Sequence, residues 1–225
     1  MKKSISNVFF CIMMLPACGG GGGDPAGGDP GGENQQKLSL NSIGNKTVLA
    51  GETLNFTLSA SDPNGTSHTY TADGTNNTTN PLSLIDRVSF NETTGAFHWD
   101  SSPSDNGNYN MVFSVTNDAS PPESDSESIT IIVQNVVAYG EDLYIQYCQS
   151  CHGPNGANGN QSIVQGSSPL DVRYALGLEG GSARSGMGNI ASQFENQTRD
   201  ANAIGYFLCD AGGIDINNTQ QCPVN

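Results

Sequence analysis

Basic residues are scarce in this chain of 225 residues, which has 8 lysines and arginines against 22 aspartates and glutamates. With so few cations, the sequence holds no basic stripe that could follow a phosphate backbone, which argues against nucleic acid as a partner. The length suffices for one large domain or for two of about 100 residues each, so the domain boundaries have to come from composition.

The apolar run near the start of the chain falls short of a transmembrane helix, because it extends only from Val8 to Leu15. Since Lys2 and Lys3 precede it, residues 1–17 are predicted to be an export signal. Removing them takes away two lysines and no acidic residue, which leaves 6 basic and 22 acidic residues and a formal charge of −16. An acidic surface of this kind favours redox partners with basic docking patches, or it serves solubility alone.

The run ends in Leu-Pro-Ala-Cys at residues 15–18, which resembles the lipobox of bacterial lipoproteins, although Pro16 is not typical there. The resemblance implies a lipid on Cys18 and therefore a membrane anchor in the cell envelope. Because Gly19 follows the cysteine, it further implies the outer membrane, facing the periplasm or the cell surface. Residues 18–37 are rich in glycine and are predicted to form a flexible tether. An ordinary signal peptide with an incidental cysteine is the alternative.

From residue 38 to residue 137 the sequence is rich in Thr, Ser and Asn, and short alternating apolar stretches are separated by turn residues. Such alternation places one face of each strand in a core. Residues 88–90 and 97–99 flank a turn and indicate a hairpin. Six or seven short strands in about 100 residues predict a β-sandwich. The alternating apolar positions are Leu54, Phe56, Leu58 and Ala60, then Tyr109, Met111, Phe113 and Val115, then Ile129, Ile131 and Val133.

This region resembles the cadherin-like and immunoglobulin-like modules of bacterial surface proteins. The stretches that carry the resemblance are residues 48–56 (VLAGETLNF), 61–65 (SDPNG), 95–99 (GAFHW) and 106–113 (NGNYNMVF). The resemblance implies a spacer or an adhesive role rather than catalysis.

Loop carboxylates of the predicted sandwich could be taken for calcium ligands, because hard cations bind several loop oxygens. The candidates are Asp62, Asn64 and Asp73, but they do not make a complete ligand set, and turn formation is the favoured interpretation. Calcium is therefore not expected. His68 and His98 are predicted to be surface or packing residues rather than metal ligands.

A predicted helix, in which apolar residues recur at helical spacing, leads into a Cys-x-x-Cys-His motif at residues 148–152. Two thiols three positions apart can form thioether bonds to the two vinyl groups of one haem, and the adjacent His152 can ligate its iron. We therefore predict one covalently attached haem c, held by Cys148 and Cys151.

Two other sites use a Cys-x-x-Cys pair. A thioredoxin-like dithiol would need a βαβ pattern, which the sequence lacks. A structural zinc site would need about four ligands, whereas Cys209 and Cys222 lie far along the chain from the motif. Haem attachment is the favoured interpretation.

The part of the chain after the predicted sandwich resembles class I cytochrome c. Gly140 and Tyr144 match the first-helix pattern, residues 148–152 match the haem motif, and residues 199–208 (RDANAIGYFL) match the last helix. The resemblance implies an all-α domain in which the first and last helices cross, with Gly140 packed against Tyr206.

The sixth iron ligand is predicted by elimination to be Met187. After removal of the signal only two methionines remain, and Met111 lies in a predicted strand, where a core role is expected. Met187 lies in a Gly-rich loop thirty-five residues after His152. The family resemblance implies the same ligand, although the family usually has Met-Pro where this chain has Met187 and Gly188.

Two cysteines remain once Cys11 has left with the signal, Cys18 carries lipid and the motif carries haem. Cys209 and Cys222 could form a disulfide in an oxidising compartment, and two free thiols are the alternative.

These patterns predict a β-sandwich at residues 38–137, followed at residues 138–225 by a cytochrome c domain with a C-terminal tail. The expected function is single-electron transfer in the cell envelope, without catalysis. A small haem peroxidase would need an open iron position, which Met187 would fill. An adhesion or scaffold lipoprotein, in which the sandwich binds a partner, is also left open.

Overall fold

Strands come first along the chain, and helices follow. In this computed structural model the described residues are 37–74, 87–157 and 165–224. The predicted signal peptide, Cys18 and all but the last residue of the predicted tether lie outside these ranges. The strands of the described part are β1 (Ser39–Leu40), β2 (Lys46–Leu49), β3 (Thr53–Thr57), β4 (Ala60–Ser61), β5 (His68–Gly74), β6 (Val88–Asn91), β7 (Ala96–Asp100), β8 (Gly107–Asn117) and β9 (Ser124–Gln134).

The strands form two main sheets and a short pair within the described ranges. One sheet has the order β2-β9-β8-β5 and the other β3-β7-β6, while β1 pairs with β4. Strand β2 runs parallel to β9, and the other pairs are antiparallel. Phe56 and Phe97 of the second sheet contact Phe113 of the first, with ring centroids 5.5 and 5.8 Å apart. The two sheets therefore share an apolar core.

Alternation along β8 and β9 is as predicted from the sequence. The side chains of Tyr109, Met111, Phe113 and Val115 are buried, and their partners across the ladder include buried Ile131 and Ile129. The predicted hairpin is also present, because Val88 pairs with Trp99 and Phe90 with Phe97.

The alternation from Leu54 to Ala60 suggests one strand, but this stretch is divided between two strands, β3 and β4. Strand β3 ends at Thr57, and the backbone N–H of Leu58 then donates to the carbonyl of Gly95 at 2.9 Å. Beyond this bend β4 pairs with β1 instead of continuing along β7. Leu58 still reaches the core, so the burial pattern survives the break.

The helices follow directly on the last strand. Asn135 caps the first of them, since its side chain accepts hydrogen bonds from the backbone N–H groups of Val137 and Ala138. Ser168 and Asp171 form a capping box at the start of the third. The helices of the described part are α1 (Val136–Tyr147), α2 (Gln149–His152), α3 (Pro169–Leu176) and α4 (Gln197–Ala211), with 3-10 turns at Pro154–Gly156 and Ala191–Gln193.

Helix α4 lies close to both α1 and α3 through two glycines. A Cβ atom at Gly140 of α1 would overlap the carbonyl of Ala203, and one at Gly205 of α4 would overlap the backbone of Pro169. The nearest atoms to Gly140 thus belong to Ala203 and Ile204, and its pairing with Tyr206 stays a prediction.

The apolar core of the sandwich continues into the helices. The described residues of the sandwich and of the helices belong to one compact unit. Tyr206 approaches the sandwich at Gly51, where a Cβ atom would lie 3.8 Å from its ring. The division at residue 137 into two domains stays a prediction. The residues after the last strand that belong to the cluster of the sandwich core are Val136, Ala203, Tyr206, Cys209 and Cys222.

Cys209 and Cys222 are joined by a disulfide, and both are buried. The bond ties the C-terminal tail to α4 across a sequence separation of 13 residues. The tail residues Ile214, Ile216 and Val224 pack against the same cluster. The cross-link therefore also holds the tail against the sandwich.

Replacing both cysteines, in Cys209→Ala/Cys222→Ala, is expected to lower the free energy of unfolding by about 3 kcal/mol, because the unfolded chain regains the entropy of an open loop. Guanidinium unfolding followed by circular dichroism measures the change. A reducing agent should shift the midpoint of the wild type and leave that of the double variant unchanged. Equal midpoints for the two proteins under oxidising conditions would contradict the prediction.

Candidate haem-binding site

The Cys-x-x-Cys-His motif forms a single helical turn at the end of α1. The backbone N–H of Cys148 donates to the carbonyl of Tyr144 at 2.8 Å, and the N–H groups of Cys151 and His152 both donate to the carbonyl of Cys148. Cys148 and His152 are buried, while Cys151 is exposed. The turn therefore presents one thiol toward the interior and one toward the surface.

The two thiols of the motif are not bonded to each other. Burial, and secondarily the neighbouring Cys151, raises the pKa of the Cys148 thiol to about 12. Dithiol oxidoreductases need the opposite, a thiol whose pKa is lowered, so this environment disfavours such chemistry. Among the described residues no group of three or more His, Cys, Asp or Glu side chains is placed to hold a metal ion.

One cavity brings the predicted iron ligands together. His152 and Met187 both line it, and its volume is about 190 Å³. Met187 comes from the loop between α3 and α4, thirty-five residues from His152 along the chain. The other lining residues are Tyr147, Cys151, Ser185, Gly186 and Ile190.

Met187 is held by turns on both sides. Its backbone N–H donates to the carbonyl of Arg184 at 2.9 Å, and its carbonyl accepts from the N–H of Ile190 at 3.1 Å. Gly186 has a φ of +85°, a conformation that a side chain would disfavour. These turns thus hold the backbone of Met187 in place, although Gly188 and not a proline follows it.

The other methionine of the described part has a different environment. Met111 is fully buried in β8 and is paired across the ladder with Ile129. It packs in the cluster of the sandwich core, whereas Met187 packs in a second cluster with Tyr144, Cys148 and Phe207. The two methionines are therefore buried in different clusters, and the choice of Met187 as an iron ligand stays a prediction.

The residues present fit a covalently attached haem. Two unbonded thiols, an imidazole and a thioether lie in one turn and one facing loop, which is the donor set of a His/Met-ligated c-type haem. Tyr147 and Ile190 supply apolar walls to the same cavity, and the ring of Tyr147 packs on Phe194 with centroids 5.5 Å apart.

Asp62 and the two histidines of the sandwich make local hydrogen bonds. The carboxylate of Asp62 accepts from the backbone N–H of Asn64 at 3.0 Å and from the hydroxyl of Thr66, which lowers its pKa. His68 is hydrogen-bonded to the hydroxyl of Tyr70, at 3.1 Å. His98 lies between Asn55 and Asp100, at 2.6 and 3.1 Å. None of these side chains approaches the cavity that His152 lines.

Two polar features of the helices were not predicted from the sequence. The first is the hydroxyl of Tyr144, which donates to the carbonyl of Gly153 at 2.7 Å. Its position four residues before Cys148 on one helix is a signal that could have suggested a role beside the motif.

The second is a cluster at the start of α4. The buried carboxylate of Asp200 accepts hydrogen bonds from the hydroxyl of Tyr139 at 2.9 Å and from Nε of Arg199 at 2.8 Å. Burial and then Asp200 raise the pKa of Tyr139. Burial lowers the pKa of Arg199, but hydrogen bonds to Glu195 and Asp200 outweigh it and raise the pKa overall. The cluster ties the first turns of α1 and α4 together.

Within the described ranges, no helix has the length and apolar character needed to cross a membrane.

No family model matches the chain, and no curated protein is detectably similar to it. Solved structures do resemble part of it. One is a nucleoside hydrolase-related hypothetical protein from Saccharophagus degradans, with 17% identity and a TM-score of 0.36 over 44% of this chain. Another is the extracellular domain of protocadherin γB4, with 19% identity and a TM-score of 0.35 over 43% of this chain. The matches span 26% and 17% of those proteins.

Further similar structures are single or tandem cadherin domains. The third cadherin domain of human protocadherin 7 has 13% identity and a TM-score of 0.35, with 48% of this chain and 95% of that domain covered. Drosophila N-cadherin EC1-4 has 14% identity and a TM-score of 0.34, with 44% and 25% covered. The resemblance of the helical part to class I cytochrome c has no counterpart among these four structures and stays a prediction.

Proposed function

We propose that this chain is a single-haem electron carrier, in which Cys148 and Cys151 attach the haem and His152 and Met187 ligate its iron. The observation that supports the proposal is the cavity lined by Cys151, His152 and Met187 together. Residues from two distant parts of the sequence meet there, and their donor atoms are those of a c-type haem site.

The side chains around the cavity suit electron transfer better than catalysis. A bound haem would supply a one-electron couple between two iron oxidation states. His152 and Met187 would both ligate the iron, so a substrate such as peroxide would have to displace a protein ligand to reach it. Of the described residues that line the cavity, none carries a carboxylate, an ammonium or a guanidinium group that could act beside a reacting oxygen.

The envelope location is part of the proposal and rests on the sequence. Lipid on Cys18 would anchor the chain, and the acidic mature surface would guide basic redox partners to it. An anchored carrier of this kind would exchange electrons with proteins of the same membrane or of the periplasm.

The test of the proposed ligand uses Met187→Ala and Met187→His in the full-length chain. The methionine-to-iron charge-transfer band of the oxidised protein should be present in the wild type and lost in both variants. The reduction potential of Met187→His should fall, because a second imidazole favours oxidised iron more than a thioether does. Absorption spectroscopy and potentiometric titration measure the two effects.

Met111→Leu is the matched control, since it removes the other methionine of the described part and leaves a residue of similar volume in the core. Its band and its potential should equal those of the wild type. A band that persists in Met187→Ala would refute the ligand assignment. Rapid peroxide turnover by the wild type would indicate that the protein is an enzyme and not an electron carrier.

A second candidate function is adhesion or scaffolding through the sandwich. The observation on its side is that cadherin extracellular domains are among the solved structures similar to part of this chain, which concerns the fold alone. Under this alternative the sandwich binds a partner, and the helical part is accessory. The two functions differ in their dependence on the thiols of the motif, because only electron transfer needs them.

A further inference from the structure

Tyr144 lies beneath the helical turn that carries His152, one of the two predicted iron ligands. Its side chain is fully buried, and its ring packs on Phe207 with centroids 5.3 Å apart. The hydroxyl donates to the carbonyl of Gly153 at 2.7 Å. Gly153 follows His152 directly in the chain, so the bond reaches the backbone immediately after the imidazole.

The carbonyl of Gly153 stands where the chain changes direction. Helix α2 ends at His152, and Gly153 has a φ of +74° and a ψ of 176°, after which the 3-10 turn Pro154–Gly156 begins. Gly153 is buried, and the N–H of Gly156 approaches its carbonyl only at 3.4 Å. A buried carbonyl without a good donor costs free energy, so the Tyr144 hydroxyl determines where this carbonyl can rest.

The backbone of His152 is consequently fixed on both sides. On the N-terminal side its own N–H donates to the carbonyl of Cys148 at 3.0 Å. On the C-terminal side the constraint comes through Gly153 and the hydroxyl of Tyr144. The backbone conformation limits the rotamers that a side chain can adopt, so a shift of the Gly153 carbonyl would change the orientations open to the imidazole of His152.

We infer that Tyr144 is a positioning residue, whose hydroxyl sets the orientation of the His152 imidazole toward the haem iron by holding the carbonyl of Gly153. The inference rests on the proposed function, because it concerns the imidazole as an iron ligand. A phenylalanine at this position would fill the same space in the core and would leave the carbonyl without this donor.

The environment keeps the hydroxyl protonated. Burial raises the pKa of Tyr144, and the neighbouring Cys148 raises it further, against a lowering hydrogen bond from the backbone of Gly156. The group therefore remains a donor at neutral pH.

The test compares the oxidised full-length haem protein with its Tyr144→Phe variant by proton NMR. The resonances of the haem methyl groups in a paramagnetic c-type haem depend on the plane of the axial imidazole. The spacing of the four methyl resonances should change in Tyr144→Phe, and the reduction potential should shift with it. A purely structural role would lower the melting temperature and leave the methyl spacing unchanged.

Tyr174→Phe is the matched control, because the ring of Tyr174 is 55% exposed on α3. Its methyl spacing should equal that of the wild type. Incorporating 3-fluorotyrosine at position 144 keeps a donor and should restore the wild-type spacing. If Tyr144→Phe does not fold, 4-fluorophenylalanine can be incorporated at the same position, because its fluorine fills the volume of the hydroxyl but donates no hydrogen bond. The methyl spacing should then change as it is expected to change in Tyr144→Phe.

The outcomes separate the inference from the function on which it rests. A wild type without covalently bound haem would overturn the proposed function. A wild type with His/Met-ligated haem, but with the same methyl spacing in the variants that lack a donor, would overturn the positioning role alone.

Discussion

Replacing both thiols of the motif, in Cys148→Ala/Cys151→Ala, is expected to give a chain that retains no haem after extraction with acidified acetone. The thioether bonds are the only covalent links that the motif offers to the two vinyl groups, so both must be removed to lose attachment completely. The single variants should each keep one thioether and a reduced haem content. Haem staining on denaturing gels and the pyridine haemochrome spectrum measure the result.

Cys209→Ala/Cys222→Ala is the control for this experiment, because it also removes two cysteines of the folded chain but lies in the disulfide of the tail. It should keep one haem per chain. Haem that remains covalently bound to Cys148→Ala/Cys151→Ala would mean that the motif is not the attachment site.

The haem-free variant also distinguishes the two candidate functions. If the sandwich binds a partner, cells that display Cys148→Ala/Cys151→Ala should adhere as the wild type does, provided that the chain folds. If the chain is an electron carrier, electron transfer at the cell envelope should be lost. Circular dichroism shows whether the strands have formed.

Substituting valine for Gly140 is expected to destabilise the protein by about 4 kcal/mol or more. Overpacking of a core usually costs about 1–3 kcal/mol, and it costs least where side chains can move aside. Here the overlapped atoms are the carbonyl of Ala203 and, at 3.0 Å, the backbone nitrogen of Ile204. Backbone atoms inside α4 cannot move without displacing the helix, so the crossing of α1 and α4 has to open.

Thermal unfolding followed by circular dichroism measures this loss, at roughly 2–4 °C for each kcal/mol in a chain of this size. Gly140→Ala should also lower the melting temperature, although alanine normally stabilises a helix interior by about 0.5–1 kcal/mol relative to glycine. Gly181→Ala is the control, because nothing lies within 4 Å of its Cβ position. Its melting temperature should stay close to that of the wild type, and an unchanged temperature for Gly140→Val would contradict the close crossing.

The regular part of the fold follows from local patterns. Alternation of apolar residues places the strands β8 and β9 correctly, because a half-buried strand has a period of two whatever its partners are. The same rule misjudges the stretch through Leu58 and Ala60, where burial alternates across a bend. Which strand pairs with which is decided by contacts distant in sequence, and alternation alone does not carry that information.

The candidate site also has a part that the sequence identifies and a part that depends on contacts distant in sequence. Residues 148–152 are recognisable because thioether chemistry demands a fixed spacing within one helical turn. Met187 could be named by elimination, yet its meeting with His152 in one cavity depends on the path of the loop before α4. The hydrogen bond of Tyr144 escapes sequence analysis, since helical spacing predicts the ring's burial and says nothing of its hydroxyl.

The apolar cluster that runs from the sandwich into α4 and the tail makes the strands and the helices thermodynamically linked. A ligand that binds only the folded helices stabilises everything that unfolds together with them. A haem attached through thioether bonds would stay on the unfolded chain, but Met187 would ligate its iron only in the folded chain. That ligation would therefore strengthen strands that the haem never touches. By the same linkage, a substitution deep in the sandwich, such as one at Trp99, would destabilise the loop that places Met187 in the cavity beside His152.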